Sequence, residues 1–394
     1  MNITLKRTEE QVELVKAMAS RNRDVAYEAQ AAVAEFIGPV LAEVINNAPT
    51  LSNMFRSFQF NEDDNPSIPL DLYHDVTDSD YIEIYSQTVP GGLPSNTIMP
   101  THSELKFSTY RMETALDFDR RYAARSRLDV VGKTFTRLAQ ELLIKIEQTS
   151  ANLLLGVLAN AKTNDLEHVI ASTNENQFLL HDVNNLITRA KRLNTAWYKG
   201  GTPVTGTKGV TDLIVSPEIM GEIRAMAYNP LNTRGLDSSE VITPGEDGKV
   251  TVSNKGAGVI PGTEEFRNQL YRNAGTSELY GINLTELNEL GDKQRFNDVY
   301  GKLVEKGTGS AKAGDVGHGA SGVFDKNGDQ LIIGIDRTRD SLIRAVATDS
   351  ETGSELRLAA DDQYVTRQSR IGYYGSMEEG RMVLDSRALT GIVV

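Results

Sequence analysis

The chain reads as an α+β protein, and three features of the sequence predict it. Apolar residues recur at three- and four-residue steps over residues 8–48 and, most strongly, from Leu128 to Lys162. Between them, residues 57–115 alternate in part with period two. The C-terminal end carries the runs Arg370-Ile371-Gly372-Tyr373-Tyr374, Met382-Val383-Leu384-Asp385 and Ala388 to Val394, which read as strands without interleaved helices.

Residues 8–48 read as two or three linked helices. Thr8 with Gln11 forms a capping-box pattern, Val12, Val15 and Met18 follow at helical spacing, and Val33, Phe36, Ile37, Val40, Leu41, Val44 and Ile45 continue the stripe. A break or kink is expected at Gly38-Pro39, because proline has no N–H to donate. Residues 57–115 read as a long antiparallel excursion, going out through Tyr81–Tyr85, turning at the cluster Pro90 to Pro94 and returning through Glu104–Glu113. A lone ribbon is marginal in water, so another surface has to hold it. From Leu128 to Lys162, Val131, Phe135, Leu138, Leu142, Ile146, Thr149, Leu153 and Val157 step by three or four and predict one helix of about 52 Å. That is long against a radius of gyration of about 21 Å for a compact chain of this size, which favours a flat or elongated subunit.

Downstream the elements alternate: a helix at 181–197, a strand at Asp212–Ser216, and a helix from Pro217 to Ala227, where proline suits the first turn. Residues 229–275 and 305–322 are rich in Gly and polar residues and read as loops. Asn327-Gly328 between Gly322–Asp325 and Gln330–Ile335 predicts a hairpin.

Composition narrows the function. Among 394 residues, 41 Lys plus Arg face 54 Asp plus Glu, so a net charge of −13 argues against a protein whose task is to neutralise phosphates. With no cysteine there is no disulfide, thiolate nucleophile or Cys-based metal site. The N-terminus is charged throughout and no run of 18 apolar residues follows, so neither a signal peptide nor a membrane span is expected.

The search for reaction chemistry yields little. Gly201 to Lys208 departs from a phosphate loop, since Thr207 separates the second Gly from Lys, and it leads into a strand. Asp325-Lys326-Asn327-Gly328-Asp329 spaces oxygens as calcium loops do, but Gln330 stands in the place of the turn glycine, and a hairpin turn accounts for it. Gly319-Ala320-Ser321-Gly322-Val323 misses the last glycine of a nucleophile elbow. His74, His102, His168, His181 and His318 are scattered at no metal-ligand spacing, His318 reading as solvent-exposed, and Trp197 reads as core. No catalytic, cofactor-binding or metal residue is assigned, and the chain is not expected to be an enzyme.

Charge patterning is more telling. Residues 61–83 carry eight acids, Glu62, Asp63, Asp64, Asp71, Asp75, Asp78, Asp80 and Glu83, and no base. Residues 106–137 carry eight bases, Lys106, Arg111, Arg120, Arg121, Arg125, Arg127, Lys133 and Arg137, against four acids. Either both are solvated faces, or the acidic projection docks on the basic surface of a neighbouring copy, where complementary potential sets orientation.

In this order the features resemble the major capsid protein of tailed bacteriophages, the Hong Kong 97-type fold. Thr211-Asp212-Leu213-Ile214-Val215-Ser216-Pro217-Glu218-Ile219-Met220, Ser277-Glu278-Leu279-Tyr280-Gly281-Ile282 and Met382-Val383-Leu384-Asp385-Ser386-Arg387-Ala388-Leu389 are similar to segments of that family. The resemblance implies a helical N-terminal arm at 1–56, an extended loop at 57–115, a peripheral domain at 116–177 with a spine helix at 128–162, an axial domain at 178–355, and a return to the peripheral sheet at 356–394. It implies a virion protein assembled in the host cytoplasm into hexamers and pentamers of an icosahedral head. The head encloses double-stranded DNA that it contacts non-specifically, with separate scaffolding, portal and decoration proteins as further partners and no cofactor or membrane. The arm and the extended loop would reach outward onto neighbouring copies. Residues 57–105 contain no lysine, so an isopeptide cross-link from that loop is not expected, and neither is cleavage of a scaffolding segment ahead of Met1. An encapsulin-like nanocompartment shell is the alternative, and an α+β hydrolase or transferase the remote one.

Overall fold

A computed structural model of the chain describes residues 8–46, 48, 51–61, 66–69, 104–163, 165–194, 209–228, 241–244, 250–253, 278–305, 312–348, 353–361 and 369–394. In chain order the described elements are α1 (Glu9–Met18), α2 (Arg23–Asn46), β1 (Arg56–Asn61), β2 (Ser67–Pro69), β3 (Glu104–Lys106), β4 (Tyr110–Asp119), α3 (Arg120–Ala124), α4 (Leu128–Asn160), β5 (Lys162–Thr163), β6 (Leu166–Glu167), β7 (Val169–Ala171), α5 (Leu180–Asn194), β8 (Asp212–Val215), α6 (Pro217–Tyr228), β9 (Val241–Pro244), β10 (Val250–Ser253), β11 (Glu278–Leu279), β12 (Ile282–Glu286), α7 (Arg295–Val304), β13 (Leu331–Ile335), β14 (Leu342–Thr348), β15 (Arg357–Asp361), β16 (Arg370–Val383) and β17 (Leu389–Val393). The fold is α+β, in two units. The first takes Met1–Leu154, Ala196–Pro203 and Asp340–Asp385, and the second Leu155–Thr195, Val204–Arg339 and Ser386–Val394.

In the first unit, the N-terminal helices form much as their patterning requires. Thr8 Oγ1 accepts from the backbone N–H of Gln11 at 3.4 Å, but Gln11 Oε1 is buried without a partner, so only half of the capping box is made. Of the break or kink predicted at Gly38-Pro39, the break does not occur: α2 runs through it. Pro39 and Glu35 are both exposed, so solvent can serve the Glu35 carbonyl that proline leaves without a donor.

Nor does the described part of the 1–56 segment stand off the body as an outward-reaching arm. Val15, Met18, Val33, Ile37 and Leu41 share one core with Val131, Phe135, Leu138, Leu142 and Ile146 of α4 and with Ile371, Tyr373 and Met377 of β16. Two helices with wide apolar stripes lose too much by leaving those stripes in water.

The long helix is present as expected, 33 residues or about 50 Å. It is long and apolar enough to cross a membrane, yet its stripe is the floor of this core, where Phe135 meets Tyr373 edge-on with ring centroids 5.2 Å apart. The sheet of this unit runs β1-β14-β16-β15, with β4 also pairing with β16 over Tyr110↔Glu379 to Asp119↔Arg370. β1 is parallel to β14 and the other pairs are antiparallel.

This topology narrows the excursion predicted over 57–115. Both its ends are strands of the body sheet, and its antiparallel stem is β2 against β3, Ser67↔Lys106 to Pro69↔Glu104. The strand at Tyr81–Tyr85 and the cluster Pro90 to Pro94 lie outside the described residues.

In the second unit, a sheet runs β11-β12-β8-β13-β17-β7. The predicted strand at 212–216 and helix from Pro217 are β8 and α6, while the helix predicted at 181–197 is described as α5, to Asn194. β8 is buried at every position, with Phe178, Leu186, Ile219 and Ile223 in the same core. The hairpin expected at Asn327-Gly328 is not formed. β13 pairs with β8 and β17, because Asp325 Oδ1 caps a local turn at Asn327 N (3.0 Å) and keeps 325–329 out of any ladder.

The unit boundaries also differ from those the resemblance implied. Residues 340–355 and 356–385 group together with the first unit, whereas 155–177 and 386–394 belong to the second. The reason is strand pairing across long sequence separations: β14 pairs with β1 and β16, and β17 with β13 and β7.

Candidate intersubunit surface

The eight bases singled out in the sequence follow one path through the first unit, at the end of β3, along β4, over α3 and onto the start of α4. The turn from β4 into α3 is set by Asp119, whose Oδ1 accepts from the backbone N–H of Arg121 at 2.9 Å. That bond, with the Arg121 guanidinium beside it, holds the Asp119 carboxyl below its ordinary value. Ser126, between α3 and α4, takes a left-handed backbone at φ 54°. Seven of the eight, Lys106, Arg111, Arg121, Arg125, Arg127, Lys133 and Arg137, are exposed.

Local acids engage three of them: Arg111 with Glu113 at 3.1 Å, Arg121 with Asp119 at 3.0 Å, and Arg127 with Asp129 at 3.8 Å. Pairs this exposed contribute little to stability, because solvent screens them. Lys106, Arg125, Lys133 and Arg137 have no ion pair among the described residues, so the path is net positive.

Arg120 differs. Its Nε and Nη2 donate to the carbonyl of Ala19 at 3.1 and 2.9 Å, and Nη2 also to that of Ser20. A cation at the carbonyl end of α1 is well placed, and here it fastens that helix to the body. The acids meant to meet the basic path, Glu62, Asp63, Asp64, Asp71, Asp75, Asp78, Asp80 and Glu83, lie outside the described residues, as do His74, His102, Trp197 and the loop Gly201 to Lys208.

The same unit holds a buried polar network that sequence reasoning missed. Glu379 is fully buried. Its Oε2 accepts from Arg344 Nε at 2.8 Å and Arg381 Nη2 at 3.0 Å, and its Oε1 from Arg381 Nε at 3.1 Å and from the Tyr110 hydroxyl. Arg381 continues to Ser150 Oγ on α4 at 2.5 Å and to Ser52 Oγ at 2.9 Å, and Arg344 to Asn46 Oδ1 at the end of α2 at 3.1 Å. Burial alone would push Glu379 up, but the Arg381 and Arg344 guanidiniums and the bonds from Arg381 and Tyr110 hold it below the usual carboxylate value. Burial, then the adjacent Glu379 charge, pushes Tyr110 up to about 12. The one signal in the sequence is Glu379-Gly380-Arg381, two opposite charges on one face of an apolar strand.

In the second unit the groups with chemical potential are engaged structurally. Ser172 Oγ donates to the Asn174 carbonyl at 2.7 Å and lies 2.8 Å from His318 Nε2. The hydroxyl proton is thus spent on the carbonyl, and the ring is not acting as a base toward Ser172. His318 is therefore a bonded, half-buried side chain rather than a solvent-exposed one. Asp329 Oδ2 accepts from the backbone N–H of Asp325 at 2.9 Å and of His318 at 3.0 Å, while burial pushes its carboxyl up against those bonds. Buried His168 lies 2.9 Å through Nδ1 from the Leu389 carbonyl and 2.8 Å through Nε2 from Thr163 Oγ1.

No protein-family model matches the chain, and no curated protein matches it. Among solved structures, it is similar to a chain of Microbacterium phage Oxtober96 at 10% identity, covering 88% of this chain and 91% of that one with a TM-score of 0.45. It is similar to the capsid of Cyanophage P-SCSP1u at 11% identity, 88% of each chain and a TM-score of 0.44. It is also similar to the SrpI encapsulin of Synechococcus elongatus PCC 7942 at 13% identity, 74% of this chain and 75% of that one, with a TM-score of 0.37.

Proposed function

We propose that this chain is a structural, non-catalytic shell protein of the tailed-phage major capsid type, many copies of which form hexamers and pentamers of an icosahedral head around double-stranded DNA. The observation that carries the reading is the exposed basic path from Lys106 to Arg137, four of whose charges lack an ion pair among the described residues, in a chain that also contains a segment of eight acids without a base. Opposite fields of this size on one chain favour ordered contact between copies and disfavour contact of like faces. The order of elements supports it too, with N-terminal helices, an excursion on an antiparallel stem, a 33-residue helix, and a second unit inserted before the last strands of the first. The net charge of −13 suits a container that holds a polyanion without gripping it. Scaffolding, portal and decoration proteins complete such a head, built in the host cytoplasm and released as a virion.

The test is the particle itself. Sedimentation velocity and negative stain of the full chain should show ring-shaped capsomers or megadalton shells, weakened at 1 M salt, where the screening length is about 3 Å. The variant Arg121→Glu/Arg125→Glu/Arg127→Glu should stay folded by circular dichroism and lose those species. A monomer or dimer at every concentration refutes the reading, and shells that carry cargo peptides and no nucleic acid replace it with a nanocompartment.

A further inference from the structure

α2 presents two faces. The inner one is core, and the outer one carries Val25, Phe36 and Val40, exposed to 42%, 65% and 42%. At about 100° per residue these three fall within an arc of about 60°. Isolated exposed apolar residues are ordinary, but four of the eight large exposed apolar side chains among the described residues stand on this single helix. The seam is edged by exposed Glu28, Glu35 and Glu43, and no Lys or Arg occurs between Asp24 and Phe55.

α4 carries the complement. Lys133, Arg137, Gln140 and Ile144 step by four, three and four along its exposed edge, with Ile144 48% exposed. None of Glu28, Glu35, Glu43, Lys133 and Arg137 has an ion pair among the described residues. From Phe36 to Glu43 is seven residues, and so is Arg137 to Ile144, about 10.5 Å along either axis. Laid antiparallel, one register puts Phe36 on Ile144, Val40 on the stem of Gln140, and Glu43 on Arg137.

The two helices of one copy cannot make this contact, because their inner faces share a core and their outer faces point away from it. We propose that the outer seam of α2 docks antiparallel on the outer edge of α4 of a second copy of this chain, with Glu43 and Arg137 setting the register. Two different faces of one chain make a heterologous contact, the kind that forms rings when its rotation closes. The inference rests on the shell reading and names the surface that would close its capsomers.

The full-length chain tests it through Glu43→Arg, Arg137→Glu, the swap of both, and Phe36→Ser, each followed by sedimentation velocity and a thermal melt. Each single variant should raise the concentration for half-assembly by at least about tenfold, because like charges then face each other or the apolar anchor is lost. Melting should be unchanged, and the swap should return assembly close to wild type. If a reversal lowers the melt, Glu43→Gln and Arg137→Gln replace it and must show the same direction. Wild-type capsomers that tolerate every single variant, or a swap that restores nothing, overturn the inference and leave the shell reading intact. Lowered melting with unchanged assembly assigns the seam to the chain's own segments and overturns it too. A wild-type chain that never associates ends both.

Discussion

Removing the Glu379 carboxylate should be among the most damaging single changes in the first unit. Glu379 is fully buried between Arg344 and Arg381, whose side chains are only 5% and 1% exposed. After Glu379→Met, Arg344 keeps Glu355 at 3.7 Å. Arg381 keeps the hydroxyls of Ser52 and Ser150 and the Phe55 ring, whose centroid is 5.2 Å from Cζ, but no anionic partner among the described residues, so a full charge is stranded out of water. Breaking a buried pair in this way costs about 3–5 kcal/mol. In a unit of roughly 200 residues, each kcal/mol moves the midpoint by about 2–4 °C, so Tm should fall by about 6–20 °C.

Urea unfolding of unassembled protein followed by far-UV circular dichroism measures this, and the double variant Glu379→Met/Arg381→Met isolates the charge. It should lose less than the two single variants together by about 1 kcal/mol or more, since neither charge is then orphaned. Because Glu379 titrates lower in the folded chain than in the unfolded one, its contribution is whole above about pH 4.5 and disappears as pH falls through its folded value. The gap between wild type and Glu379→Met should therefore close below pH 4.5. A single variant within about 1 kcal/mol of wild type, or a gap that does not vary with pH, would refute the idea that the pair anchors this unit.

Tyr110, raised to about 12, contributes stability that is present below pH 10 and lost as pH rises toward 12, so Tyr110→Phe should flatten that alkaline limb of the stability profile. Arg120→Met should release the carbonyls of Ala19 and Ser20 at a cost of about 1.5–3 kcal/mol and speed amide exchange in α1 more than in α4. Gly314→Ala would place a Cβ 2.7 Å from the Tyr300 hydroxyl and 2.8 Å from Ala159 Cα, so the second unit should lose about 1–3 kcal/mol in a denaturant melt.

How far each element was legible follows from how local its cause is. The helices α1, α4, α5 and α6 and the strand β8 could be read because one face, one cap or one proline specifies them. The continuation of α2 through Pro39 could not, since it depends on which side of the helix faces water. Of the site, the basic path was legible as a run of charge. That Arg120 leaves the run to close α1 was not, because the carbonyls it binds lie about a hundred residues away in sequence.

By itself the sequence determined an α+β chain with a long core helix, a β-rich C-terminal end and separated blocks of opposite charge, because periodicity and charge are written residue by residue. Tertiary structure alone decided that the N-terminal helices pack into their own unit, that β17 belongs with β13 in the second unit, and that Glu379, Arg344 and Arg381 meet. Those outcomes depend on hydrogen bonds and desolvation between residues distant in the chain, which no local pattern encodes.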